Sequence, residues 1–154
     1  MKKIFTLCVV HRHPHVLLGM KKRGFGIGKW NGFGGKVEKG ETTEVAARRE
    51  LLEESGLKAD LFECVGILDF AWNDKPEEME VHVFLARDIQ GEPTESDEMR
   101  PEWFHTDEIP FQTMWADDKH WMPMLLGDKK FKGRFVFDGQ NQILEHSLNE
   151  VIEI

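Results

Sequence analysis

From Gly35 to Leu57 the chain reads GKVEKGETTEVAARRELLEESGL. Its second half has the pattern of a helix over Thr43–Ser55. Thr42 stands where an N-cap side chain accepts from the first turn, and Gly56 stands where a left-handed residue closes a helix. The helix carries Arg48, Arg49, Glu50, Glu53 and Glu54. At about 100° per residue, the three glutamates share roughly one third of its circumference. Carboxylates crowded in this way repel one another, whereas a solvated face more often pairs Glu with Lys at this spacing. The crowding makes sense if a divalent cation sits among the oxygens. Mg²⁺ takes hard oxygen ligands and keeps several waters, so a few carboxylates and a substrate phosphate would complete its shell. Arg49, four residues before Glu53, is placed to steer that carboxylate. Val45 and Leu52 fall on the opposite side and are expected to anchor the helix to a sheet. The charge run alone reads as a solvated acidic helix, so its setting has to decide.

Upstream, Gly24 to Gly35 holds Gly24, Gly26, Gly28, Gly32, Gly34 and Gly35. Such a stretch is expected to be neither helix nor regular strand, and it lets a ligand approach the backbone. Before it, Ile4 to Val10 reads as a buried strand, His13-Pro14-His15 as a turn and Val16 to Met20 as a partner strand. Beyond the helix, Cys64 to Trp72 and Met79 to Ala86 read as strands joined by a turn at Asn73 to Glu78. In the second of these, Met79, Val81, Val83 and Leu85 share one face, and Glu80, His82 and Phe84 the other. Glu102 to His105 is a short strand. A second helix is expected from Asp118 or Lys119 to Leu126, with Pro123 tolerable only near its first turn. Arg134 to Phe137 and Gln142 to Leu148 form a hairpin around Asp-Gly-Gln-Asn. Strands in mixed order flanking two helices give an α/β fold, a mixed sheet sandwiched between helices. With 154 residues the chain is expected to be one domain over 1–154.

Composition narrows the chemistry. Twenty Lys and Arg against 28 Asp and Glu give a formal charge of −8. That argues against coating a nucleic acid polymer but not against one nucleotide whose charge is met by a metal ion. The longest apolar run is Ile4 to Val10, too short for a membrane span and followed by no small-residue cleavage site. Cys8 and Cys64 read as reduced core residues of an intracellular protein, with a single bridge between them left open. The seven histidines carry no HExxH spacing, and no Ser-His-Asp or Cys-His arrangement is legible.

The segment quoted first matches every fixed position of the Nudix box: Gly35, Glu41, Arg49, Glu50, Leu51, Glu53, Glu54, Gly56 and Leu57. Nine constrained positions in 23 residues are far more specific than a lone glycine motif. The chain is thereby identified as resembling the Nudix hydrolases, which cleave nucleoside diphosphates linked to another group with Mg²⁺ and water. The resemblance implies catalytic roles for Arg49, Glu50, Glu53 and Glu54. It implies Gly34, through its carbonyl, and Glu50, Glu53, Glu54 and Glu98 as metal ligands. Which glutamate orients or deprotonates water varies across the family. Alone, Glu98 reads as a solvated loop charge.

More of the chain is similar to one animal branch of that family, which hydrolyses oxidised purine nucleoside triphosphates. MKKRGFGIGKWNGFGGK (Met20 to Lys36), VHVF (Val81 to Phe84), ESDEMRPEWF (Glu95 to Phe104) and MWADDKHW (Met114 to Trp121) carry the likeness. It implies substrates such as 8-oxo-dGTP and 2-hydroxy-dATP, cleaved to monophosphate and pyrophosphate by a cytoplasmic monomer, with nucleus and mitochondrion as further compartments. The implied base-holding residues are Asn31, Asp117 and Asp118, with Thr6 and Lys21 close by. Phe25, Phe70, Trp72, Met79, Met99 and Trp115 are the implied apolar walls. Phe33, Gly34, Gly35, Lys36 and Ala116 complete the expected substrate-binding set. Ala116 departs from the branch pattern, which has proline there. The residue types suit this role: a flat purine fits Trp115, and its polar edge fits an amide and two acids, one of which stays protonated beside an apolar wall. Taken singly, Asp117 and Asp118 read as a helix cap, Asn31 as a turn residue and the Phe and Met residues as core. The rival readings are a Nudix enzyme for ADP-ribose, dinucleoside polyphosphates or capped RNA, and a nucleotide-sensing module without turnover.

Overall fold

The computed structural model describes residues 2–154. Its strands are β1 (Lys2–Arg12), β2 (His15–Lys21), β3 (Trp30–Asn31), β4 (Lys58–Trp72), β5 (Lys75–Gln90), β6 (Met99–His105), β7 (Lys130–Phe137) and β8 (Ile143–Val151). Its helices are α1 (Thr43–Ser55) and α2 (Asp118–Leu126), and short 3₁₀ turns lie at Thr106–Glu108 and Phe111–Thr113. All eight strands share one sheet in the order β3-β2-β1-β5-β4-β7-β8, with β6 along the other edge of β2. β1 with β5 and β4 with β7 are parallel, and the other pairs are antiparallel.

β1 sits mid-sheet, covered on both faces, which is why Leu7 to Val10 is a continuous apolar run. Strand alternation then sorts its side chains. Cys8 and Val10 join Leu17, Leu51 and Leu57 in a core under α1. Val9 joins Val16, Leu18, Val83, Trp121 and Leu125 in a core under α2. The two helices therefore lie on opposite faces of the sheet, as the mixed strand and helix order implied.

Tertiary pairing changes several boundaries. The β4–β5 hairpin runs from Lys58 to Gln90 and narrows its turn to Asn73-Asp74. Glu78 looks like loop by its charge, yet the ladder recruits it opposite Ala71 of β4 and Lys2 of β1. The glycine-rich stretch contains a real two-residue strand, β3, paired with Gly19 and Met20. α1 keeps its expected limits: the Thr42 hydroxyl accepts from Val45 N–H at 3.1 Å, and Gly56 has φ 77°. Its packing face does not match the expectation. Val45 and Leu52 are exposed, and the buried set is Ala46, Ala47, Leu51, Glu54 and Ser55. Pro123 lies inside α2, not in its first turn. The carbonyl it leaves without an N–H donor is that of Lys119, an exposed residue within reach of water.

Candidate active site

α1 turns its acidic face towards the glycine-rich segment. Glu54 is 5% exposed, and its Oε1 accepts from the Gly34 N–H at 2.9 Å. Burial and the charge of Glu50 push Glu54 up to about 8, although the Gly34 N–H and Lys21 act in the opposite sense. Burial also raises Glu50, against the pull of Arg49. Arg49 is the hub of this cluster, bonding Glu41 at 2.7 Å, Glu50 at 2.9 Å and Glu53 at 3.3 Å. The ion pair to Glu53 follows from helical spacing. The one to Glu41 crosses eight residues and was visible only as motif positions.

Two glycines let this approach happen. A Cβ on Gly34 would collide with the Thr6 carbonyl, and one on Gly35 would lie 2.7 Å from Glu50 Oε1. The strand edge and the helix carboxylates therefore touch through backbone alone. Among the described residues no three carboxylate, thiol or imidazole groups already close on one point. Glu50 and Glu53 lean on Arg49, and Glu54 leans on Gly34. The donor set nevertheless suits a hard divalent cation: buried carboxylates raised by desolvation and mutual repulsion are stabilised by positive charge. Glu98 reaches this neighbourhood and raises Glu54, but it is held by Lys21 at 2.9 Å and Arg23 at 3.0 Å.

Beside the cluster lies a cavity of about 270 Å³. Its lining includes Thr6, Lys21, Phe25, Asn31, Gly34 and Gly35 among the expected residues, and Glu54 joins it to the acidic cluster. Phe70, Trp72, Met79, Met99, Trp115, Asp117 and Asp118 line it as well. Phe25 rests against Trp115, with ring centroids 5.0 Å apart, and is itself exposed at the mouth. Asn31 spends its Oδ1 on the Gly32 N–H at 2.9 Å, which fixes the amide orientation in β3.

Asp117 and Asp118 are 4% and 2% exposed. Asp117 is the N-cap of α2, but its side chain caps nothing; Oδ2 accepts from the Trp121 indole N–H at 2.8 Å. Asp118 Oδ2 is buried without a partner among the described residues. Burial pushes Asp117 up to about 6. Burial and the charge of Asp117 raise Asp118 well above the usual carboxylate range.

Three expected substrate contacts lie outside the cavity. Phe33 is fully buried under α1, because alternation sends it to the face opposite Gly32 and Gly34. Lys36 is exposed, and only its carbonyl takes part, accepting from Arg49 at 3.4 Å. Ala116 packs against the core under α2. The cavity adds Phe5, Leu7, Gly26, Gly32, Val81 and Phe137, which the sequence reading missed. Val81 shares the strand face of Met79, so its alternation was the available signal. Phe137 reaches the cavity only through β7–β4 pairing, which leaves no local trace.

A NUDIX domain model matches residues 2–125. The chain is 57% identical to the oxidized purine nucleoside triphosphate hydrolase of Danio rerio over 152 residues, covering 99% of this chain and 97% of that one. The protein of the same name from Mus musculus is 56% identical, with 97% and 96% covered. A mutator MutT protein from Bacillus halodurans superposes with a TM-score of 0.85 at 30% identity, over 96% of this chain and 97% of that one.

Proposed function

The chain belongs to the Nudix family, and from that premise we propose that it hydrolyses oxidised purine nucleoside triphosphates, such as 8-oxo-dGTP and 2-hydroxy-dATP, to monophosphate and pyrophosphate. One observation carries the reading: a single cavity has the buried Asp117 and Asp118 with Trp115 as part of its wall and opens onto Glu54 of the acidic cluster. In this reading the base lies against the apolar wall, with Asn31 and the two acids along its polar edge. The phosphates run past Lys21 and Gly34 towards α1. Glu50, Glu53 and Glu54, with the Gly34 carbonyl and Glu98, are the donors for Mg²⁺. Mg²⁺ held there would offset phosphate charge and make water a stronger nucleophile. Arg49 holds Glu50 and Glu53 in place for this task. Burial and the neighbouring charge of Asp117 raise Asp118 well above the usual carboxylate range, which favours a pair that offers both a donor and an acceptor. The unit is the whole chain as one domain, a cytoplasmic monomer with no nucleic acid polymer as partner. Among the described residues, no helix is long and apolar enough to cross a membrane.

The test is turnover of oxidised, methylated and unmodified nucleotides with Mg²⁺, with products identified, beside the variant Glu53→Gln. Monophosphate and pyrophosphate from oxidised purines are expected. Glu53→Gln should lower kcat by orders of magnitude at limiting Mg²⁺ and leave the thermal melt near its original midpoint, because Glu53 is exposed. Preference for ADP-ribose, dinucleoside polyphosphates or capped RNA, or tight binding without turnover, would replace this reading.

A further inference from the structure

Trp72 forms part of the cavity wall and is 8% exposed. Its indole N–H donates to Asn141 Oδ1 at 2.8 Å, across 69 residues of sequence. An indole N–H only donates, so the Asn141 amide must present its oxygen. Asn141 lies in the β7–β8 turn with φ 61°, a left-handed conformation that asparagine tolerates. That turn is firmly built. The Asp138 carboxylate accepts from Gln140 N–H at 2.8 Å and from Gln142 N–H at 3.0 Å. The Asn141 N–H donates to the Asp138 carbonyl at 3.0 Å.

The neighbouring β4–β5 turn leans on it. Asn73 N–H donates to the Phe137 carbonyl at 2.9 Å, and a Cβ on Gly139 would meet Asp74 Oδ2 at 2.6 Å. The Trp72 ring is packed against Phe137 at 5.6 Å and 32°, and the Lys75 ammonium sits 4.5 Å from its centroid. Phe137 and Lys75 can accommodate several tilts of the indole. The bond to Asn141 is directional and selects one.

We propose that Asn141 is a positioning residue that sets the plane of the Trp72 indole, so that the C-terminal hairpin turn tunes how the cavity accepts a flat purine. What Trp72 touches rests on the oxidised-purine reading above, while the clamp itself rests on the geometry of the two turns. Loss of the acceptor leaves a part-buried donor without its protein partner, and the ring then leaves its plane in the ligand-free protein.

The experiment uses three variants of the full chain. Asn141→Gly keeps the positive φ and removes the acceptor. Asn141→Asp keeps an acceptor oxygen. Trp72→Phe removes the donor. Hydrogen exchange of the Trp72 indole N–H is followed in ¹⁵N-labelled protein without ligand, and KM and kcat are measured for 8-oxo-dGTP with Mg²⁺. Asn141→Gly should speed indole exchange about tenfold and raise KM roughly three- to tenfold at unchanged kcat. Asn141→Asp should restore both. On a Trp72→Phe background, Asn141→Gly should leave KM where Trp72→Phe put it. Unchanged indole exchange in Asn141→Gly overturns the clamp, as does an equal KM rise on the Trp72→Phe background. If the unsubstituted protein does not turn over 8-oxo-dGTP, the substrate reading falls, and the exchange measurement still decides the clamp.

Discussion

Asp117 occupies the N-cap of α2 and gives its carboxylate to Trp121 instead of to the helix N–H groups. Beside it, Asp118 keeps a buried oxygen without a partner among the described residues. A fold that only needed a helix start would not hold two acids in this way, since an unpaired buried polar atom costs about 1–3 kcal/mol. The pair suits a ligand that supplies the missing partner. If one acid donates and the other accepts, moving a proton between them would reverse the local pattern and would let one site receive an oxidised guanine and an oxidised adenine. Asp118→Asn fixes one neutral pattern and should reduce kcat/KM for 8-oxo-dGTP and 2-hydroxy-dATP by unequal factors. Asp117→Asn should shift the preference differently, and the two substrates should have different pH profiles with the unsubstituted protein. Equal losses with superimposable profiles across pH would reduce the acids to simple anchors. The adjacency and coupling of these acids were legible in sequence. Their depth was not, because the cavity wall around them also draws Met99 and Phe137 from two distant segments.

α1 is an element whose limits are local and whose packing is not. Thr42 and Gly56 close its ends through contacts within a turn, so the sequence determines them. Which face it buries depends on the sheet beneath. The sheet accepts Ala46, Ala47 and Leu51, which brings the backbone of α1 close to β1 and carries Glu54 inward to Gly34. Val45 and Leu52 look like anchors by residue type, yet they face away. The difference is measurable by urea denaturation. Leu52→Gln should change unfolding free energy by about 0.5 kcal/mol or less. Leu51→Ala should cost about 2–5 kcal/mol, because it empties a fully buried site. The reverse order of these two effects would mean that the helix is rotated about its axis.

The whole molecule places its buried acids where water is scarce, and this ties stability to pH. Asp117, Asp118, Glu50 and Glu54 all have raised values in the folded protein. A group raised on folding contributes stability that is fully present below its unfolded pKa and is lost as pH rises through its folded one. For Asp117 the loss is complete by about 6, and for Glu54 by about 8. Glu41, Glu95, Glu98 and Asp128 are held low by Arg49, Lys22, Lys21 with Arg23, and Arg87, so their contribution disappears only in acid. In chelator, the urea midpoint should therefore fall as pH rises from about 5 to about 8. Mg²⁺ should restore part of it at the upper end, since a cation favours the ionised glutamates. His11 and His120, lowered by burial, act in the opposite sense only up to their ordinary value of 6.5, so a midpoint that rises between about 7 and 8 without metal would contradict the burial of Glu54.

The sequence by itself determined the family, the helix that carries the glutamates, its two caps and the face alternation of β5, because each follows from nearest-neighbour geometry or from a spaced motif; most of the cavity residues were implied only by the likeness to one branch of the family. Only the tertiary structure decided that Phe33, Lys36 and Ala116 stand outside the cavity while Phe5, Leu7 and Phe137 line it. It also decided that Glu98 is tied to Lys21 and Arg23, and that Asn141 holds Trp72. These facts depend on which strands lie side by side and on which face of the sheet each helix covers. Local periodicity carries no record of either. Strand pairing between segments as far apart as β4 and β7 is settled only when the two apolar faces of the sheet are buried together.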